Sequence, residues 1–210
     1  GGGINRFNPK TNRFKHYKHN NENANSLSGN RVQSVAVDLN GHIWVGTAGS
    51  GLNKIDPKTD KITRYIHNPN NDNTLSNNRI WDVAVDKDNK IWAATDHGLN
   101  ILDPETGEVK RYLMADYAQH GMLNNKIRDL LIDSDGIVWL GTSIGINRFD
   151  RFSQTFSKII PYPNQTKDPQ LNSVNVIFED KQHNIWCGTQ TGGISLYNRH
   201  TGKFTNFVND

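Results

Sequence analysis

Apolar residues in this chain come in short bursts that return every 47 or 48 positions. Four bursts centre on a tryptophan: Ile43-Trp44-Val45-Gly46-Thr47, Ile91-Trp92-Ala93-Ala94-Thr95, Val138-Trp139-Leu140-Gly141-Thr142 and Ile185-Trp186-Cys187-Gly188-Thr189. Three further bursts accompany each. One begins at Val32, Ile80, Ile127 and Val174. Another begins at Leu52, Leu99, Ile146 and Ile194, with an extra copy at Ile4. The last lies at Ile62, Val109, Phe156 and Phe204, with an extra copy at Phe14. Each runs four to six residues and is rich in Val, Ile, Phe, Tyr and Trp, which predicts strands; no stretch sustains a 3.6-residue apolar period.

The polar spacers carry turn chemistry. Between the first and second strands lie Asp38-Leu39-Asn40-Gly41, Asp86-Lys87-Asp88-Asn89 and Asp133-Ser134-Asp135-Gly136, ending on residues that accept positive φ. The fourth copy, Asp180-Lys181-Gln182-His183-Asn184, moves its Asn by one position and leaves room for a different turn. Between the third and fourth strands lie Asn8-Pro9-Lys10-Thr11-Asn12, Asp56-Pro57-Lys58-Thr59-Asp60 and Asp103-Pro104-Glu105-Thr106-Gly107, where Pro presets the turn. Four antiparallel strands per repeat describe a β-propeller blade. The periodic Trp residues are expected to fill the space between blades, each burying on the order of 150–250 Å². Asp38, Asp86, Asp133 and Asp180 are expected to bond the backbone of the turns they open.

With the strands of a blade called A to D, the chain reads as a C–D hairpin (4–17) followed by four complete blades, at about 31–66, 79–113, 126–160 and 173–208. The repeats divide at 1–30 (partial), 31–78, 79–125, 126–172 and 173–210, all within one β-propeller segment. A four-bladed ring leaves the hairpin unused and a five-bladed ring lacks an A–B pair. The expected fold is therefore an all-β arc of a larger, seven-bladed propeller. The opening Gly1-Gly2-Gly3-Ile4 falls in the middle of a repeat, so the chain is expected to be a segment of a longer protein. Missing targeting signals then carry no information on location.

Composition adds exclusions. Only 34 % of residues are hydrophobic, yet their concentration in bursts argues for a folded chain. With 24 basic and 21 acidic residues the net charge is +3, too balanced to argue for nucleic acid or an acidic membrane. No run of 18 apolar residues is present to span a bilayer. The single cysteine, Cys187, follows a core Trp and is expected to be a buried thiol.

The phrases Ser26-Leu27-Ser28-Gly29-Asn30-Arg31-Val32, Thr74-Leu75-Ser76-Asn77-Asn78-Arg79-Ile80 and Gly145-Ile146-Asn147-Arg148-Phe149-Asp150, with the Trp phrases, are similar to the two-component regulator propeller repeat. This is the sensor propeller of bacterial hybrid two-component systems. The resemblance implies a periplasmic ligand-sensing module, common in Bacteroidetes, that recognises an oligosaccharide and works within a homodimeric receptor bearing a histidine kinase. It implies no enzyme activity and no cofactor in the segment itself. Two other readings stand beside it: an interaction or dimerisation propeller without a small ligand, and a lyase resembling streptogramin B lyase, which would need a metal-binding carboxylate beside a general base.

Topology points to where a ligand would sit. In an up-and-down blade the D-to-A and B-to-C loops share one face of the disc. The D-to-A loops, 19–30, 67–78, 114–125 and 161–172, are the longest and least alike. Asn30, Asn78, Asn125 and Asn172 recur at the start of strand A and are expected to cap these loops. Arg31, Arg79 and Lys126 follow them, at the mouth of the central channel, and could hold a carboxylate, sulfate or uronate, so an acidic oligosaccharide is among the expected ligands. Trp81 lies where strand A elsewhere carries Gln33, Arg128 and Asn175; it could stack on a sugar or pack between blades. Asp96 and His97, in a B-to-C loop, could bond hydroxyl groups. No phosphate loop, nucleophile motif or metal-spaced His pair is present, so no catalytic or metal residue is expected.

Overall fold

The structure, a computed structural model, describes residues 2–117, 121–164 and 167–208. Strands β1 (Ile4–Asn8) and β2 (Arg13–Tyr17) form a two-stranded hairpin. Four four-stranded antiparallel sheets follow, each in simple up-and-down order. Blade I holds β3 (Val32–Val37), β4 (Ile43–Thr47), β5 (Leu52–Ile55) and β6 (Ile62–Tyr65). Blade II holds β7 (Ile80–Val85), β8 (Ile91–Thr95), β9 (Gly98–Leu102) and β10 (Val109–Tyr112). Blade III holds β11 (Ile127–Ile132), β12 (Val138–Thr142), β13 (Gly145–Asp150) and β14 (Thr155–Ile159). Blade IV holds β15 (Val174–Glu179), β16 (Ile185–Thr189), β17 (Ile194–Asn198) and β18 (Lys203–Phe207). The first strands meet in sequence, β3 against β7, β7 against β11 and β11 against β15.

The turn carboxylates do more than cap. Asp133 Oδ1 accepts the backbone N–H of Asp135 and Ile137, while Oδ2 accepts Trp139 Nε1 at 2.7 Å. The same bonds join Asp38 to Trp44, Asp86 to Trp92 and Asp180 to Trp186. Each carboxylate therefore fixes the turn and satisfies the indole N–H whose ring fills the core. The fourth turn is closed like the others: His183 takes the left-handed conformation (φ 62°) held elsewhere by Gly41, Asn89 and Gly136, and its N–H bonds Asp180 O. The displaced Asn184 is free of that strain and instead donates its side-chain amide to Asp180.

Three of the periodic Trp residues, Trp44, Trp92 and Trp139, are buried as expected. Trp186, in the last described blade, is only partly covered and stacks on Phe207. Val176 and Phe178 on the same blade are exposed, as are Phe7 and Phe14 of the hairpin at the opposite end. Arginines clamp two interfaces. Arg151, in the turn of blade III, reaches Asp86 of blade II at 3.0 Å and lies over Trp92. Arg199, from blade IV, reaches Asp133 of blade III at 3.0 Å and lies over Trp139.

Cys187 is buried in the cluster of Trp139, Val174, Ile177 and Ile185, and burial pushes its thiol up to about 12. The folded chain should resist iodoacetamide at pH 8, with labelling only on denaturant-induced unfolding. Rapid labelling in buffer would mean that blade IV opens on its own.

Candidate functional site

Every inner strand starts with a bulge. The pairing of β3 with β4 slips between Val32 and Ser34, and the equivalent slips fall at Ile80/Asp82, Ile127/Asp129 and Val174/Val176. A bulge leaves one residue unpaired and re-aims its side chain. The extra residues are Gln33, Trp81, Arg128 and Asn175, different in every repeat. The residues after them turn toward the next blade. Ser34 Oγ accepts Val83 N–H at 3.1 Å, Asp82 Oδ2 accepts Leu130 N–H at 3.1 Å, and Asp129 Oδ2 accepts Ile177 N–H at 2.5 Å. Strand A thus divides its work between the B-to-C loop beside its start and the blade interface.

Beside the start of β7, four of the six candidate residues meet. Trp81 donates its indole N–H to Asp96 Oδ1 at 2.7 Å. Arg79 lies over the Trp81 ring with its guanidinium carbon 4.6 Å from the centroid, and Lys126 Nζ, from blade III, lies 5.4 Å from it. Asp96 faces both cations, at 3.6 Å from Arg79 Nε and 3.9 Å from Lys126 Nζ. Cation–π attraction and the carboxylate together hold the group. Trp81 belongs to none of the buried apolar clusters, and its ring lies against the two cations.

The β8–β9 connection is built to hold Asp96 still. Thr95 Oγ1 donates to Gly98 O at 2.8 Å and accepts His97 N–H, while Asp96 N–H bonds Arg79 O. His97 is exposed, and its ring makes no hydrogen bond or ion pair among the described residues. Arg31 is likewise exposed; its carbonyl accepts Ala48 N–H, and its guanidinium has no bonded partner among the described residues. Two of the three predicted cations are drawn together, and Arg31 and His97 are not.

A neighbouring cluster was not anticipated. Arg128 Nη1 donates to Ser173 Oγ at 2.7 Å and Asn175 Oδ1 at 2.6 Å, and Gln190 Oε1 lies 3.5 Å away. Its partners are neutral, so its charge is not cancelled. The signal was present: Arg128 occupies the position of Trp81, and Gln190 that of Asp96.

The D-to-A loops are more tightly built than their length implied. Asn30, Asn78, Asn125 and Asn172 accept the backbone N–H of His19, His67, Met114 and Tyr162, the expected capping role. In the first two loops Nδ1 of His19 and His67 bonds the carbonyls of Leu27 and Leu75. Arg64 and Arg111 bond those loops' backbones from strand D, so these arginines are committed to structure. The last two loops differ, carrying a helical turn at Met114–Tyr117 and a 3-10 turn at Pro169–Asn172; their residues 118–120 and 165–166 lie outside the described residues. Buried Asn53, Asn100 and Asn147 tie strand C to the loop ends, bonding the N–H of Ser28, Ser76 and Leu123. Their recurrence inside an apolar phrase was the clue to them.

Among the described residues no three His, Cys, Asp or Glu side chains converge in metal-binding geometry, and no helix is long and apolar enough to cross a membrane.

The family model described as two component regulator propeller matches residues 26–49, 74–97, 121–143 and 169–191. No curated protein matches the sequence. Among solved structures, the chain is similar to the extracellular domain of a hybrid two component system from B. thetaiotaomicron, at 24% identity and a TM-score of 0.82, covering 97% of this chain and 27% of that one. The chain thus spans about a quarter of that relative. It is also similar, at 14% identity and a TM-score of 0.65, to virginiamycin B lyase from Staphylococcus aureus, covering 85% of this chain and 56% of that one. An auxiliary nutrient binding protein from Bacteroides thetaiotaomicron matches at 11% identity and a TM-score of 0.58, covering 84% and 40%. These likenesses show a propeller fold; the lyase likeness shows no activity.

Proposed function

We propose, on the premise that the chain belongs to the two-component regulator propeller family, that it is the ligand-sensing part of an extracytoplasmic receptor. The ligand would be an oligosaccharide seated at the channel mouth. The observation that carries this reading is the Arg79–Trp81–Asp96–Lys126 group. Arg64, Arg111, Arg151 and Arg199 are each committed to loops or blade interfaces. Arg79 and Lys126 are about two-fifths exposed, and their ion pairs to Asp96 are longer than a hydrogen bond. Charges held in place yet still free to bond are what a recognition site needs.

The strand-A bulge supplies a route outward. Trp81 is in the ligand's reach, and the adjacent Asp82 bonds Leu130 N–H of the next blade. A ligand that prefers one placement of Trp81 would bias the packing of blades II and III, and through it the receptor dimer. The ends of the arc support a larger ring, seven-bladed in our reading. Trp186, Val176 and Phe178 at one end, and Phe7 and Phe14 at the other, stand open where their counterparts within the arc are covered.

A thermal-shift screen of the chain against neutral and acidic oligosaccharides tests the reading. A ligand that binds only the folded form stabilises it by about 2.7 kcal/mol at a hundredfold excess over its Kd. The expected result is a raised midpoint that Arg79→Ala abolishes. A flat response to all saccharides would favour an interaction surface without a small ligand.

A further inference from the structure

Asp96 stands alone at its place in the fold. The equivalent B-to-C residues are Ala48, Ser143 and Gln190, none of them charged. Its carboxylate makes one hydrogen bond to a side chain, from the Trp81 indole. It approaches Arg79 and Lys126 without bonding either, at 3.6 and 3.9 Å. Arg79 Nε is shielded from solvent and has no hydrogen-bond acceptor among the described residues, a state shared by Nε of the two interface arginines, Arg151 and Arg199. Arg79 differs from those two in being about two-fifths exposed and in facing its carboxylate from beyond hydrogen-bond distance, where they are mostly covered and paired at 3.0 Å. The mouth therefore holds two cations around one carboxylate that satisfies neither, with the uncancelled charge of Arg128 on the adjacent inner strand.

We propose that Asp96 is an internal counter-anion, and that the ligand's recognised group is itself a carboxylate or sulfate that takes over the Arg79 and Lys126 donors. This rests on the reading of the mouth as a ligand site and narrows it to anionic ligands. Empty, the site keeps its cations apart and ordered by lending them a carboxylate. Occupied, it hands Lys126 Nζ and the outer N–H groups of Arg79 to an acceptor with two oxygens, the two-pronged bonding that favours arginine at carboxylate and sulfate sites. Neutral sugars offer no charge to displace Asp96 and are refused. Asp96 thus sets both the threshold concentration and the selectivity.

The test follows the Trp81 indole N–H resonance in ¹⁵N-labelled chain, because that proton is bonded to Asp96. The probes are galacturonate, its neutral methyl ester and inorganic sulfate. The variant is Asp96→Asn, which keeps an oxygen to accept the indole N–H and removes only the charge. Galacturonate and sulfate should shift the resonance in the native chain. They should saturate at about tenfold lower concentration in the variant, the scale of one nearby charge at a partly exposed site. The ester should shift neither protein. Equal or weaker anion binding by Asp96→Asn overturns the proposal, as does an ester that binds as well as the acid, or the absence of any anion response in both proteins. The two readings separate cleanly. Neutral saccharides that bind leave the sensor standing and remove the counter-anion. Sulfate that binds more tightly to the variant while no saccharide binds keeps the counter-anion and removes the sugar.

Discussion

Asp133→Ala is expected to lower the stability of the chain by about 3–5 kcal/mol, the range found when one partner of a buried, bonded charge is removed. The carboxylate is buried and serves three clients. It accepts Asp135 and Ile137 N–H in its own turn, Trp139 Nε1 in its own blade, and an ion pair from Arg199 of the next blade at 3.0 Å. Alanine leaves a buried indole N–H with no acceptor and takes from Arg199 the buried one of its three carboxylate partners, leaving Asp135 and Glu179. Urea denaturation read by tryptophan fluorescence measures the loss. Asp180→Ala is the control. Asp180 makes the same turn and Trp bonds, which hold its carboxyl down at about 2, chiefly through the Trp186 indole. Among the described residues no arginine of a following blade reaches it, and Trp186 is partly exposed. Its replacement should cost clearly less. Equal losses would show that the turn, and not the blade interface, carries the energy.

That contrast also marks what could be read from residues alone. The strands were legible because each apolar burst is bounded by turn chemistry and the repeat prints the pattern four times; β3, β7, β11 and β15 begin at Val32, Ile80, Ile127 and Val174 as expected. The Asp–Trp bond was half legible. The constant spacing of six residues, Asp38 to Trp44 and onward, was visible, but a carboxylate's second oxygen has no address in sequence. The mouth was legible as a set of residue types and not as geometry. Arg79, Trp81, Asp96 and Lys126 were each singled out, yet their convergence depends on the strand-A bulge, which turns Trp81 toward its own B-to-C loop. A bulge changes the facing of side chains by one residue, and nothing in Ile80-Trp81-Asp82 announces it. The same slip hid Asp82 and Asp129, which a regular strand would have placed on the other face. The His183 turn illustrates the opposite failure: residue preference suggested a different turn, and the bonds from Asp180 impose the common one.

The hidden pair carries the second large expectation: the chain should lose stability as pH rises from about 4 to 8, and Asp129→Asn should remove most of that loss. Asp129 sits on the inner strand, where burial first and the neighbouring Asp82 second push its carboxyl up to about 7, against the pull of the Ile177 N–H. Asp82 is raised as well, again by burial. A carboxyl whose folded value stands above its unfolded value binds its proton more tightly in the folded state. Its favourable contribution is complete below about 4 and fades as pH climbs through 7. The ladder from Ser34 to Asp82 to Leu130, and from Asp129 to Ile177, needs an acceptor and not a charge. Asparagine keeps an oxygen for Ile177 N–H and removes the anion that burial and Asp82 oppose. Asp129→Asn should therefore be more stable than the native chain at pH 8, by about 2–4 kcal/mol for a shift of this size, and nearly equal to it at pH 4. Denaturation midpoints of both proteins across that range decide it. Parallel pH profiles would mean that Asp129 is ionised at little cost, and that the blades are held at the channel by charge after all.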